Sequence, residues 1–90
     1  MAHARTDEQR IVRMIERVRL LIAVSDDIPI QTKLDTQALL KMFEAAIESV
    51  SGSDDEVRAA GYFQALYRDL QPYADVEALL SAMRVFAPYL

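Results

Sequence analysis

Apolar residues spaced three and four positions apart run through most of this chain, and this spacing limits what it can fold into. An α-helix brings such positions onto one face, whereas a half-buried β-strand needs alternation at every second position. The apolar stripes consist of Ile11, Met14, Ile15, Val18, Leu21 and Ile22; of Leu39, Leu40, Phe43, Ala46, Ile47 and Val50; of Ala59, Ala60, Phe63, Leu66, Tyr67 and Leu70; and of Val76, Leu79, Leu80, Met83 and Phe86. The sequence therefore predicts an all-α fold with one helix for each stripe.

Capping signals set the predicted bounds of the first two helices. Thr6 and Gln9 have the spacing of a capping box, in which each side chain bonds the backbone N–H of the other residue. The first helix is therefore predicted to run from Thr6 to Val24. The second helix is predicted to begin after Asp35 and to end near Val50.

Residues 25–35, between these two helices, are predicted to form the longest loop of the chain. Pro29 disfavours helical backbone at Ile28, which precedes it. Ile30 and Leu34 are apolar, and we expect them to hold the loop against the core. The alternative is that a first helical turn begins as early as Pro29.

Glycine and serine mark the junction between the second and third helices. Gly52 is expected to take the left-handed conformation that ends a helix. Ser53 and Glu56 repeat the capping-box spacing, so the third helix is predicted from Ser53 to about Leu70. A shorter fourth helix is predicted over residues 75–86.

The length of 90 residues fits a single domain, which we predict to span residues 1–90 with residues 1–5 as a frayed N-terminal tail. The predicted architecture is a compact bundle of four helices, the fourth one short. Hydrophobic residues make up 52% of the chain, and so small a body leaves some of them on its surface. This excess favours a dimer or another protein partner.

Several classes of protein are disfavoured by composition. The chain has no cysteine, which removes disulfides, thiolate metal sites and cysteine catalysis. Its net charge of -4 argues against general affinity for phosphate backbones. No apolar run reaches the length of a membrane span, and no secretory signal is evident, so we expect a cytoplasmic protein without a membrane partner.

Residues suited to catalysis or metal binding are sparse. The single histidine, His3, lies in the predicted tail without a fixed partner. The acidic pairs and triplets at 26–27 and 54–56 are explained as a turn and a helix cap, and neither has the spacing of a calcium-binding loop. We therefore expect no enzymatic activity, no cofactor and no metal.

Three arginines form a row on the first helix. Arg10, Arg13 and Arg17 fall within about 60° of one another on a helical wheel, on one flank of the apolar stripe. One interpretation is that they flank the core, cover apolar surface with their stems and pair with acids on neighbouring helices, of which Glu44 and Glu48 on the second helix are suitably spaced. The other is that this arginine row contacts carboxylates of a protein partner or phosphates of a nucleic acid.

The end of the first helix is apolar on every side. Residues 20–24 are all hydrophobic, so we expect Leu20 and Val24 to be covered, either by other helices of the chain or by a second subunit. The first 24 residues carry a net charge of +2 and the rest of the chain carries -6. A molecule with two such regions suits self-association or a protein partner.

The third helix contains two further candidate contact positions. Glycine inside a helix costs roughly 1 kcal/mol relative to alanine, so Gly61 predicts the close approach of another helix, in the same chain or in a partner. Tyr62 lies off the apolar stripe of this helix and is expected to be an exposed contact, because tyrosine combines an apolar ring with a polar tip.

These observations together predict a non-enzymatic protein–protein interaction module. It would be a small regulator, adaptor or inhibitor that uses an apolar helix face and forms a homodimer or binds another protein. The predicted partner-binding residues are Arg10, Arg13, Arg17, Leu20, Val24 and Tyr62. The alternative is a nucleic-acid-binding regulator that uses the arginine row, which is less favoured because three arginines supply few phosphate contacts.

Overall fold

The computed structural model describes residues 2–50 and 52–90, with side chains from residue 8 onward, and contains four α-helices. They are α1 (Ala2–Val24), α2 (Ile30–Glu48), α3 (Ser53–Leu70) and α4 (Ala74–Phe86). No strand occurs among the residues that the structure describes. The predicted all-α bundle of four helices, with the last one the shortest, is confirmed.

The helices are arranged in chain order around the bundle. Helix α1 packs against α2 and α4, and α3 packs against the same two helices. Within the described residues the backbones of α1 and α3 do not approach each other closely, and these two helices lie diagonally across the core. Each helix therefore has two neighbours and one outer face that points to solvent.

Aromatic rings and aliphatic side chains fill the space between the helices. The rings of Phe43 in α2 and Phe63 in α3 are fully buried, with centroids 5.8 Å apart. The guanidinium of Arg84 in α4 lies 5.0 Å from the centroid of Phe63 and covers that ring. Thr36 is the one buried polar residue identified, and its hydroxyl donates a 2.6 Å hydrogen bond to the carbonyl oxygen of Thr32, so its burial leaves no polar group unpaired.

Helix α1 begins earlier than its capping signal predicts. It starts at Ala2 instead of Thr6, so the backbone of residues 2–5, expected as a tail, is helical, and Met1 lies outside the described residues. Alanine is the best helix former, and alanines precede Thr6 at two positions. Thr6 is therefore inside the helix and cannot act as its N-cap.

Helix α2 also begins earlier than predicted. It starts at Ile30, and Pro29, with a φ of -59°, is its N-cap, so the predicted start after Asp35 is wrong. Proline suits this place because it lacks an N–H that the first turn would leave unpaired, while its carbonyl oxygen accepts a 2.9 Å bond from the N–H of Lys33. The connection between α1 and α2 shrinks to residues 25–29.

The apolar residues in and next to this connection differ in their exposure to solvent. Ile28 is buried with 4% of its surface exposed, whereas Ile30 and Leu34 are 76% and 62% exposed. The expectation that Ile30 and Leu34 hold a loop to the core is therefore wrong. They belong to α2, whose helical geometry directs them away from the core.

The junction before α3 uses extended backbone. Gly52 has φ -167° and ψ -179° and is the N-cap of α3, so the left-handed conformation expected there is wrong. Its carbonyl oxygen accepts a 3.1 Å bond from the N–H of Glu56. Because this places Ser53 inside the helix, α3 has no side-chain hydrogen bond at its cap, and the predicted capping box does not form.

Candidate interaction surface on helix α1

The outer face of α1 carries four of the residues predicted to bind a partner. Arg13, Arg17, Leu20 and Val24 lie within about 60° of one another on the helical wheel, opposite the buried stripe of α1. Leu20 is 62% exposed and Val24 is 65% exposed, so neither is covered by another helix of the chain. We call these four residues the α1 face. Of the two kinds of cover predicted for the end of α1, the other helices of the chain do not provide it.

The arginines of the α1 face are exposed and form no ion pair within the described residues. Arg13 and Arg17 are both exposed, and neither has a carboxylate within bonding distance. Arg10 leans toward α4, where its guanidinium lies 5.2 Å from the centroid of the Phe86 ring. Arg10 therefore contributes to packing between α1 and α4, and the two arginines beyond it are the ones left available to a partner.

The expectation that the arginine row pairs with acids of α2 is wrong. The arginine that pairs with α2 is Arg19, whose Nη2 lies 3.1 Å from Oε1 of Glu44. Glu48 lines a shallow groove beside Arg13 without an ion pair between them. Arg19 points to α2 because it lies about 120° around α1 from Arg13 on the wheel.

Two further hydrogen bonds fix the end of α1 against the start of α2. Nζ of Lys33 donates to the carbonyl oxygen of Ala23 at 3.2 Å, and Nε2 of Gln37 donates to the carbonyl oxygen of Arg19 at 3.2 Å. The exposed Leu34 lies between these two donors in sequence. The start of α2 therefore carries exposed apolar residues of its own, which sequence reasoning missed although their spacing of four positions was a usable signal.

Exposed carboxylates follow directly after the apolar part of the α1 face. Asp26 and Asp27 lie in the short connection after α1, and Asp75 lies in the first turn of α4. All three are exposed, and they line one groove together with Val24. We call them the acidic end. The exposed residues along this side of α1 therefore change from arginines, with Glu16 among them, through apolar residues to carboxylates.

The two candidate positions on α3 do not join this surface. Tyr62 is half-buried and packs against the core, so the exposed ring expected there is not found. It also belongs to the helix diagonal to α1, which keeps it apart from the other five predicted contact residues. A methyl group added at Gly61 meets no atom of a neighbouring element within 4 Å, so the expected close approach of another helix of the same chain is wrong.

The opposite end of the bundle contains an apolar pocket of about 260 Å³. Its lining includes Ile11, Ile47 and Phe86, with Glu8 and Tyr89 as the polar members. Burial, followed by the negative charges of nearby glutamates, raises the pKa of Tyr89 above its usual value. The phenol therefore stays neutral at physiological pH and offers no reactive group.

Other functional features are lacking in the described part of the chain. It contains no group of three or more histidine, cysteine or acidic residues placed to hold a metal ion. None of its helices combines the length and apolar character needed to cross a membrane. Comparisons of the chain with models of protein families, with curated proteins and with solved structures gave no significant match.

Proposed function

We propose that this chain is a non-enzymatic protein-interaction module, a small cytoplasmic regulator, adaptor or inhibitor that presents the α1 face to a protein partner, either a second copy of itself or another protein. The observation that carries the proposal is the exposure of Leu20 and Val24, at 62% and 65%, beside two arginines without ion pairs. Apolar side chains flanked by arginine are the usual composition of a protein-binding surface.

The strength of this association follows from the exposed area. Complete burial of a leucine or valine side chain contributes about 1.5–3 kcal/mol, so four such side chains in a two-fold interface contribute about 4–8 kcal/mol after allowance for their partial exposure. Association costs about 4–15 kcal/mol in lost freedom of motion. The apolar residues of the α1 face alone therefore do not exceed this cost, and a dimer needs further contacts, such as those from the arginines.

Sedimentation equilibrium over a hundredfold range of concentration tests the proposal. We expect a concentration-dependent dimer that is lost in the double variant Leu20→Asp, Val24→Asp, with the helical circular dichroism spectrum unchanged. The matched control compares single variants, Val24→Asp against Val57→Asp, because Val57 is 72% exposed on the diagonal helix α3. The proposal fails if the chain is monomeric throughout and captures no other protein through this face, or if the double variant associates like the wild type.

The arginines also support a second candidate function, a regulator that binds nucleic acid. Within the described residues Arg13 and Arg17 are exposed without ion pairs, and they lie on one side of a long helix, where phosphates could reach them. Binding to mixed-sequence duplex DNA should then weaken with salt, with a log–log slope no steeper than about -1.8 for two phosphate contacts. The absence of binding at low salt removes this candidate.

A further inference from the structure

We infer that the partner of the α1 face is a second copy of this chain, packed with its α1 antiparallel to the first. This inference rests on the proposed function and adds the identity of the partner and the register of the interface. The inference is based on the order of exposed groups along one side of the molecule. Arg13 and Arg17 come first, Leu20 and Val24 follow, and the acidic end comes last.

This order is complementary to itself under a two-fold rotation. Turning the surface end over end places the basic part of one copy opposite the acidic end of the other, while the apolar parts coincide. A two-fold interface requires this property, because each contact from one copy to the other occurs twice. Partners of a single sign would match only one end of the surface and would meet like charge at the other.

The register follows from the helix geometry. If Leu20 of each copy meets Val24 of the other, the two-fold axis passes beside residue 22. Arg17 lies five residues before that position, about 7.5 Å along the axis at the helical rise, and the acidic end follows Val24 on the other side of it. Each Arg17 therefore faces the acidic end of the other copy, in which Asp27 is the residue chosen for the test. Asp26 and Asp75 lie beside Asp27 in the same groove and extend the acidic target.

Both charged groups are free to form this contact. Within the described residues Arg17 and Asp27 are exposed and have no ion pair inside the chain. The backbone N–H of Asp27 donates a 3.2 Å bond to Oγ of Ser25, which holds the turn that presents the carboxylate.

A charge exchange between two variant chains tests the register. Arg17→Glu alone and Asp27→Lys alone should each weaken self-association by at least about tenfold, because each creates two like-charge contacts in the dimer. Mixing the two variants should restore a heterodimer, in which both contacts again join opposite charges. Analytical ultracentrifugation gives the dissociation constants, and native mass spectrometry distinguishes heterodimers from homodimers by mass.

The control replaces Asp27→Lys by Asp54→Lys, which changes the net charge equally at an exposed position on α3. Mixed with the Arg17→Glu chain, this control should not restore association. If either reversal impairs folding, as judged by circular dichroism, Arg17→Gln and Asp27→Asn serve instead. With this pair, each change alone should weaken the dimer, and combining both in one chain should weaken it no further.

The outcomes separate this inference from the proposed function. A preferred heterodimer supports the register. A wild-type dimer that depends on Leu20 and Val24 but shows no heterodimer preference overturns the register and leaves the interaction surface standing. A chain that stays monomeric, or binds only a different protein through the same residues, overturns the inference that the partner is a second copy.

Discussion

Replacing Gly61 by alanine should stabilise the fold, although a glycine inside a helix is commonly kept for a packing reason. Gly61 lies in the interior of α3 and is exposed, and an added methyl group meets no neighbouring element within 4 Å. The substitution therefore introduces no clash. It removes the unfavourable helix propensity of glycine, which arises from the larger backbone freedom of glycine in the unfolded chain.

The expected gain in stability follows from the open space at Gly61 and from the different helix propensities of glycine and alanine. Alanine is about 0.8–1.0 kcal/mol more favourable than glycine in a helix interior, and no steric term subtracts from this gain. For a domain of this size, 1 kcal/mol corresponds to a rise in Tm of about 4–8 °C. Urea denaturation should give the same gain with an unchanged m-value.

Gly52→Ala provides the matched comparison. Gly52 also has no neighbouring atom within 4 Å of an added methyl group, and its extended backbone accepts any residue. It is an N-cap, however, where glycine is preferred to alanine, and this preference offsets the lower entropy of the unfolded alanine chain. We therefore expect little change for Gly52→Ala and a clear gain for Gly61→Ala.

Thermal unfolding followed by circular dichroism tests the predicted gain in stability, and sedimentation equilibrium tests whether self-association changes. A destabilised Gly61→Ala variant would refute the reasoning about open space at this position. A stable fold with weakened self-association would show that a partner helix covers α3, contrary to an interface on the α1 face. The same Tm gain for Gly52→Ala would indicate that unfolded-chain entropy alone sets both values.

Three further predictions concern the core, a titrating group and an ion pair. Phe43→Ala should lower the free energy of unfolding by about 3–5 kcal/mol in urea denaturation, because the ring is fully buried. The raised pKa of Tyr89 means that the folded chain ionises less readily than the unfolded chain, so stability should fall as the pH rises past the usual tyrosine value of 10.0. Tyr89→Phe should reduce that fall in unfolding experiments across this pH range. A double-mutant cycle on Arg19 and Glu44 should give a coupling of about 0.2–1 kcal/mol that decreases with salt, since both side chains are partly exposed.

The sequence predicted the positions of the helices more accurately than it predicted which helices pack against each other. Apolar spacing located all four, because burial of one face is what selects the helical period. The start of α2 was predicted after Asp35, with a first turn from Pro29 as the alternative, and the structure confirms the alternative, because proline is tolerated where a helix starts. The first residue of a helix depends on the backbone angles of a single residue, so a sequence predicts it poorly. The position of a whole helix is indicated by many apolar residues together, so it is predicted more accurately.

The candidate surface was predictable in part for the same reason. Arg13, Arg17, Leu20 and Val24 share a helix, so their common face follows from helical geometry alone. Tyr62 was grouped with them although it lies on the diagonal helix, because a single sequence does not reveal which helices become neighbours. The acidic end was missed for that reason too, since Asp75 reaches it only through the packing of α4 beside α1.

The arrangement of neighbours has a consequence for the order in which the bundle folds. Helices α2 and α3 are consecutive and share the largest contact between helices, so this hairpin forms with a short loop closure. Helix α1 must meet α4 across the whole of the intervening chain, which makes that contact slow to form. Helix α1 also packs on its neighbour α2, whereas α4 packs mainly on α1. We expect substitutions at Phe43 and Phe63 to slow refolding, and substitutions at Leu80 in α4 mainly to speed unfolding. Helix α4 would then be the last to dock, and because it supplies Asp75, the acidic end would be complete only when folding is complete.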